Sequence, residues 1–129
     1  MTIWTFFDYV SPAGNDLIDK WVDRLSVSDR SDLETLLRIL SRQKTWAAND
    51  FKWLSGKKYQ GLGEIRFRSQ QGTPLRLIGT KTDTPNHFVF LIGCSHRGTK
   101  YDPADALDMA VKHRKAVLNG AVVCKYGDT

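Results

Sequence analysis

Apolar and polar residues alternate from Leu62 to Arg68. Gly63, Ile65 and Phe67 fall on one side of an extended chain, and Glu64, Arg66 and Arg68 on the other. The next run, Thr73–Thr80, sets Arg76 between apolar neighbours. The third, His87–Cys94, is apolar through its FVFLI centre, as expected of a central strand covered on both faces. Gly-, Pro- and Asn-bearing turns separate the three. The pattern predicts an antiparallel meander with a cationic outer face, followed by a basic loop, Ser95–Lys100.

The flanking segments change period. Thr2–Tyr9, rich in β-branched and aromatic residues, predicts a strand. Ser11-Pro12 offers a helix cap, and Leu17, Ile18, Trp21, Val22 and Leu25 then fall on one helical face. Ser28 restarts a second helix with Leu33, Leu36, Leu37 and Leu40 as its stripe, completing a helical hairpin with acidic outer positions. The connection Thr45–Ser55 carries Trp46, Phe51 and Trp53, which either tuck it onto the core or stack on a base. Asp102 caps a last helix with Leu107, Ala110, Val111, Arg114, Val117 and Leu118 inward, stopped by Asn119-Gly120. The segment 120–129 reads either as a short edge strand or as a flexible tail. The element order is β-α-α-β-β-β-α in one domain, 1–129. The fold class is α+β, a mainly antiparallel sheet with helices packed mostly on one face, which leaves the Glu64, Arg66, Arg68 and Arg76 face open.

Charge sharpens this picture. Residues 1–51 carry six basic and eight acidic side chains, 52–101 nine and two, and 102–129 four of each. The meander thus holds +7 while the whole chain holds +5, the distribution expected for a polyanion partner. No apolar run reaches the roughly 20 residues of a membrane span, and the first residues lack the basic start of a signal peptide. Cys94 reads as a reduced core thiol, and a cytoplasmic protein is expected. His87, His96 and His113 are scattered without a Cys or carboxylate cluster, so neither a metal nor another cofactor is expected. His113, on the last helix, reads as structural. Arginines on adjacent strands, a Glu between them, flanking lysines, His96 and Tyr101 form the inventory a metal-free ribonuclease needs. Such an enzyme removes one proton, donates another and stabilises added negative charge.

GLGEIRF, an Arg on the next strand, an apolar strand, a basic turn and a closing helix, in that order, resemble the RelE/ParE toxin superfamily, nearest its phage-derived, HigB-like branch. The likeness covers residues 54–114 in detail. It implies a RelE-like fold and the toxin of a type II toxin–antitoxin system. Such a toxin is a metal-independent, ribosome-dependent endoribonuclease that cuts messenger RNA and inhibits translation. A small helix-turn-helix DNA-binding antitoxin would neutralise it. By the resemblance, Arg66 and Arg76 bind phosphate and stabilise the transition state. Glu64 matches the motif's acidic position, as general base or as the holder of Arg66. His96 and Tyr101 correspond to late catalytic or base-stacking residues, although their spacing departs from the better-known toxins. Lys57, Lys58, Arg68, Arg97 and Lys100 are phosphate contacts. Two other classes stay open: a ParE-like gyrase poison, and a catalytically inactive binding module of the same fold.

Overall fold

The computed structural model describes residues 2–127. In chain order the elements are β1 (Thr5–Tyr9), α1 (Leu17–Asp23), α2 (Val27–Ser41), β2 (Phe51–Trp53), a 3-10 turn (Lys57–Tyr59), β3 (Leu62–Arg68), β4 (Pro74–Lys81), β5 (His87–Arg97), β6 (Lys100–Asp102), α3 (Ala106–Leu118) and β7 (Val123–Lys125). The class is α+β, with three helices and a mostly antiparallel sheet. No helix among the described residues is long and apolar enough to cross a membrane.

The sheet runs β2-β3-β4-β5-β1-β7, and β6 also pairs with β5. β4 covers one edge of β5, from Phe88 to Ser95. β1 pairs in parallel with the start of β5, and β6 pairs antiparallel with its end. The three meander strands therefore form where the alternation predicts them. Two further strands, β2 and β6, are each only three residues long and carry too little pattern to be read. β7 settles the tail as an edge strand as far as Lys125; Asp128 and Thr129 lie outside the described residues.

Two of the three helices pack on one face of the sheet, but the other face is not left open. Phe88 and Phe90 join Ile65, Leu77 and Phe6 under Ile18 and Val22 of α1 and Leu33, Leu37 and Leu40 of α2. Val89 and Leu91 join Leu62 and Ile78 under Ala106 and Ala110 of α3, on the other face. The cause is β5 itself: a strand apolar on both sides must be covered on both. The third helix consequently lies on the face that carries Glu64, Arg66 and Arg76, which is not open as expected.

Helix starts also move. Ser11 opens a turn instead of a helix. Its hydroxyl accepts from Asn15 N and its carbonyl from Gly14 N, and Gly14 takes a left-handed φ of 83°. Asp16 caps α1 and Ser26, not Ser28, caps α2; each side chain accepts from the amide three residues on. Asp102 belongs to β6, and α3 begins after Asp105, past a cis Asp102-Pro103 bond. Leu118 points outward, 47% exposed, while His113 takes the inward position. Its Nδ1 lies 2.9 Å from Leu91 O, and its ring stacks on Tyr9. Trp46 joins the core against Trp4, Phe51 and Phe88, whereas Trp53 stays 44% exposed.

One irregularity in β5 governs the site. Ile78 opposes Ile92 and Gly79 opposes Phe90, so Leu91 is an extra residue, a β-bulge. Past it the alternation is rephased. Ile92 and Cys94 lie on the α3 face, and Gly93 turns to α1, where a Cβ would overlap the Trp21 indole. Gly93→Ala is therefore expected to cost about 1–3 kcal/mol through overpacking, read as a lower urea midpoint at an unchanged slope.

Candidate functional site

Three local features bring the five candidate catalytic residues together. Glu64 and Arg66 stand two apart on β3, hence on one face. The β3–β4 register makes Arg66 and Arg76 direct partners, and Arg76 is in turn opposite Cys94. Beyond the bulge, His96 shares the phase of Cys94. A tight turn at Gly98, with φ 60°, folds β6 back so that Tyr101 opposes His96. The expected basic loop Ser95–Lys100 is thus a hairpin.

Glu64 is the hub. Its Oε1 accepts from Arg66 Nε at 3.0 Å and Arg66 Nη2 at 2.9 Å, with Arg76 Nε 3.5 Å away. Its Oε2 accepts from the Tyr101 hydroxyl at 2.9 Å. The His96 ring lies against Tyr101, centroids 4.6 Å apart. Glu64 is only 3% exposed, so its charge is neutralised by these donors and not by water. Arg76 donates through Nη1 to Leu75 O, while its Nε has no hydrogen-bond partner among the described residues. The Arg66 side chain keeps 30% of its surface exposed and that of Arg76 13%.

Two guanidinium groups around one carboxylate leave a net positive charge. Burial lowers the pKa of Arg76; Glu64 opposes that shift and Arg66 adds to it. Burial, then Glu64, raises the Tyr101 pKa well above the ordinary phenol value, so the hydroxyl stays a donor at neutral pH. The Cys94 thiol beside them is pushed up to about 12, by burial first and Glu64 second, and is an inert neighbour. The arrangement is a partly covered anion site: forked cations held by a buried acid, with a phenol and an imidazole at one side.

The candidate phosphate contacts surround this centre unevenly. Arg97 and Lys100 oppose each other at the exposed tip of the β5–β6 hairpin. A groove of about 540 Å³ runs from there between Lys100, Tyr101, Tyr59 and Leu107. Lys58 is paired with Asp108 of α3 at 2.8 Å, and Lys57 stands exposed in the 3-10 turn. Arg68 is turned onto its own hairpin, donating to Gly72 O. Lys52 escaped the sequence reading. It opposes Glu64 across β2–β3 and is exposed on the same face, but FKW is too short to reveal a strand. A cluster of acidic and thiol groups does form, away from the three histidines. Asp8, Asp16 and Cys124 converge at a second place, far apart in sequence.

Comparison with protein-family models, with curated proteins and with solved structures gave no match to this chain.

Proposed function

We propose that this chain is the toxin of a type II toxin–antitoxin system of the RelE/ParE kind, a metal-independent endoribonuclease that cuts messenger RNA on the ribosome. One observation carries the reading: Arg66 and Arg76 are cross-strand partners whose guanidinium groups share the buried Glu64 carboxylate. In this role the 2′-hydroxyl attacks the adjacent phosphorus, the 5′-oxygen leaves, and a 2′,3′-cyclic phosphate forms. One proton leaves the 2′-oxygen and one reaches the 5′-oxygen. The two arginine forks take the non-bridging oxygens and their added charge. Glu64 positions the forks, since its oxygens are already engaged by Arg66 and Tyr101. His96, an imidazole, suits the proton transfers, and Tyr101 donates a hydrogen bond from a proton it retains. Lys52, Lys57, Arg97 and Lys100 guide the strand. A helix-turn-helix antitoxin with an acidic segment would cover the arginine face.

The test is induction of the chain in cells, followed by growth measurement and mapping of messenger ends with and without ribosomes. Growth arrest with ribosome-dependent cuts supports the reading. Arrest without cuts favours a gyrase poison, and neither effect favours a binding module. Direct RNA binding should fall with salt by about 0.7 log units per log unit for each phosphate contacted on a single strand, and filter binding at several salt concentrations measures that slope. A flat profile would remove the phosphate contacts from the account.

A further inference from the structure

Phe6 and Asp8 share one side of β1, so Asp8 lies on the α1–α2 side of the sheet, away from Glu64. Cys124 opposes Asp8 across the β1–β7 pair. Asp16, at the start of α1, accepts the Cys124 thiol at 3.1 Å through Oδ2 and caps the helix through Oδ1. One ligand atom from each of the three lies within 4.8 Å of the other two. Asp8 is 1% exposed, and its Oδ1 has no hydrogen-bond partner among the described residues. Burial first, and a hydrogen bond with Asp16 second, push the Asp8 carboxyl up to about 9, so without a cation it holds a proton beside Asp16. Asp16 and Cys124 are half-buried, which leaves a route from solvent.

We propose that Asp8, Asp16 and Cys124 bind one divalent ion of the zinc class, which ties β7 and the start of α1 to β1. The donor set selects the ion. A thiolate excludes calcium and magnesium, and two carboxylates beside one thiolate suit a borderline cation. Tetrahedral ligands about 2.0–2.3 Å from zinc stand roughly 3.3–3.8 Å apart, so the three atoms need only small shifts, and water supplies the fourth. Binding releases the proton of Asp8 and the thiol proton of Cys124. Three groups that oppose one another as anions would then share one cation. The residues lie 8 to 116 positions apart in sequence, and no spacing motif announces them. The inference is independent of the nuclease reading.

The test uses the full chain, stripped with a chelator and returned to buffer, with zinc ion alone as the probe. Calorimetry should show one ion per chain. The melting temperature should rise by about 5–10 °C at a hundredfold excess over Kd. Cobalt(II) in its place should give a thiolate charge-transfer band. Cys124→Ser should lose that band, and Asp8→Asn, close in shape, should lose about half of the thermal shift or more at the same zinc concentration. Each should weaken zinc at least tenfold, since loss of an outer partner alone costs about 10–100-fold. A further measurement needs no variant: zinc should slow alkylation of Cys124 in the unsubstituted protein. The proposal is overturned if the folded chain binds no zinc, if Cys124 alkylates equally fast with it, or if both variants bind as before.

Discussion

Arg76→Ala is expected to lower messenger cleavage by about 10²–10³-fold, the usual effect of removing one positioned donor to developing charge, and to relieve growth arrest on induction. Stability should fall by only about 1–2 kcal/mol, through the lost packing of a largely buried side chain. Glu64 keeps the two Arg66 hydrogen bonds and the Tyr101 hydroxyl, and the variant removes the repulsion between adjacent guanidinium groups. Arg68→Ala should be milder, because Arg68 donates to Gly72 O at the far end of β3. Cleavage rates, growth and thermal melting of both variants decide the matter. Equal activity of Arg76→Ala and the parent would sink the catalytic assignment.

Much of the meander was legible because alternation and turn residues fix strand phase locally. β3 matches its expected span of Leu62–Arg68, and the Arg66–Arg76 pairing follows from joining that strand to the next by a short turn. The parallel partnership of β1 with β5 was not legible, since nothing local says which distant strand will lie beside it. Helix existence was readable from the leucine and tryptophan stripes, but the caps were not. Ser11-Pro12 fits a helix start and a turn equally well until Gly14 bends the chain and Asp16 supplies the cap.

The site was legible as a list and not as a geometry. Strict alternation along β5 from Leu91 would put Ser95, not His96, on the arginine face; the bulge reverses this, and its only trace in FVFLIGC is Gly93 within a strand. Glu64 reads as an exposed position of an amphipathic strand. It is buried because the β5–β6 hairpin brings Tyr101 onto it from 37 residues away. The same long-range folding hides Lys52 and the Asp8–Asp16–Cys124 group, whose members belong to different segments.

Glu64→Gln is expected to weaken the fold by about 2 kcal/mol and to change how the protein responds to alkali. Removing one partner of a fully buried ion pair costs about 3–5 kcal/mol, and the exposure of Arg66 reduces this. Gln keeps the shape and one acceptor oxygen but leaves two adjacent guanidinium groups without an anion. The sign for Tyr101 follows from its pKa, which the fold raises above the value in the unfolded chain. The contribution of Tyr101 is therefore complete below about pH 10, and it is lost as pH rises through the folded value. Glu64 is the second cause of that shift, after burial, so Glu64→Gln should bring one tyrosine's ionisation down towards the ordinary range while leaving Tyr126 where it is. Ultraviolet titration of the four tyrosines reads this directly, and urea unfolding reads the stability. A Gln variant with the parent's midpoint and the parent's alkaline titration would mean that Glu64 does not organise the arginine pair.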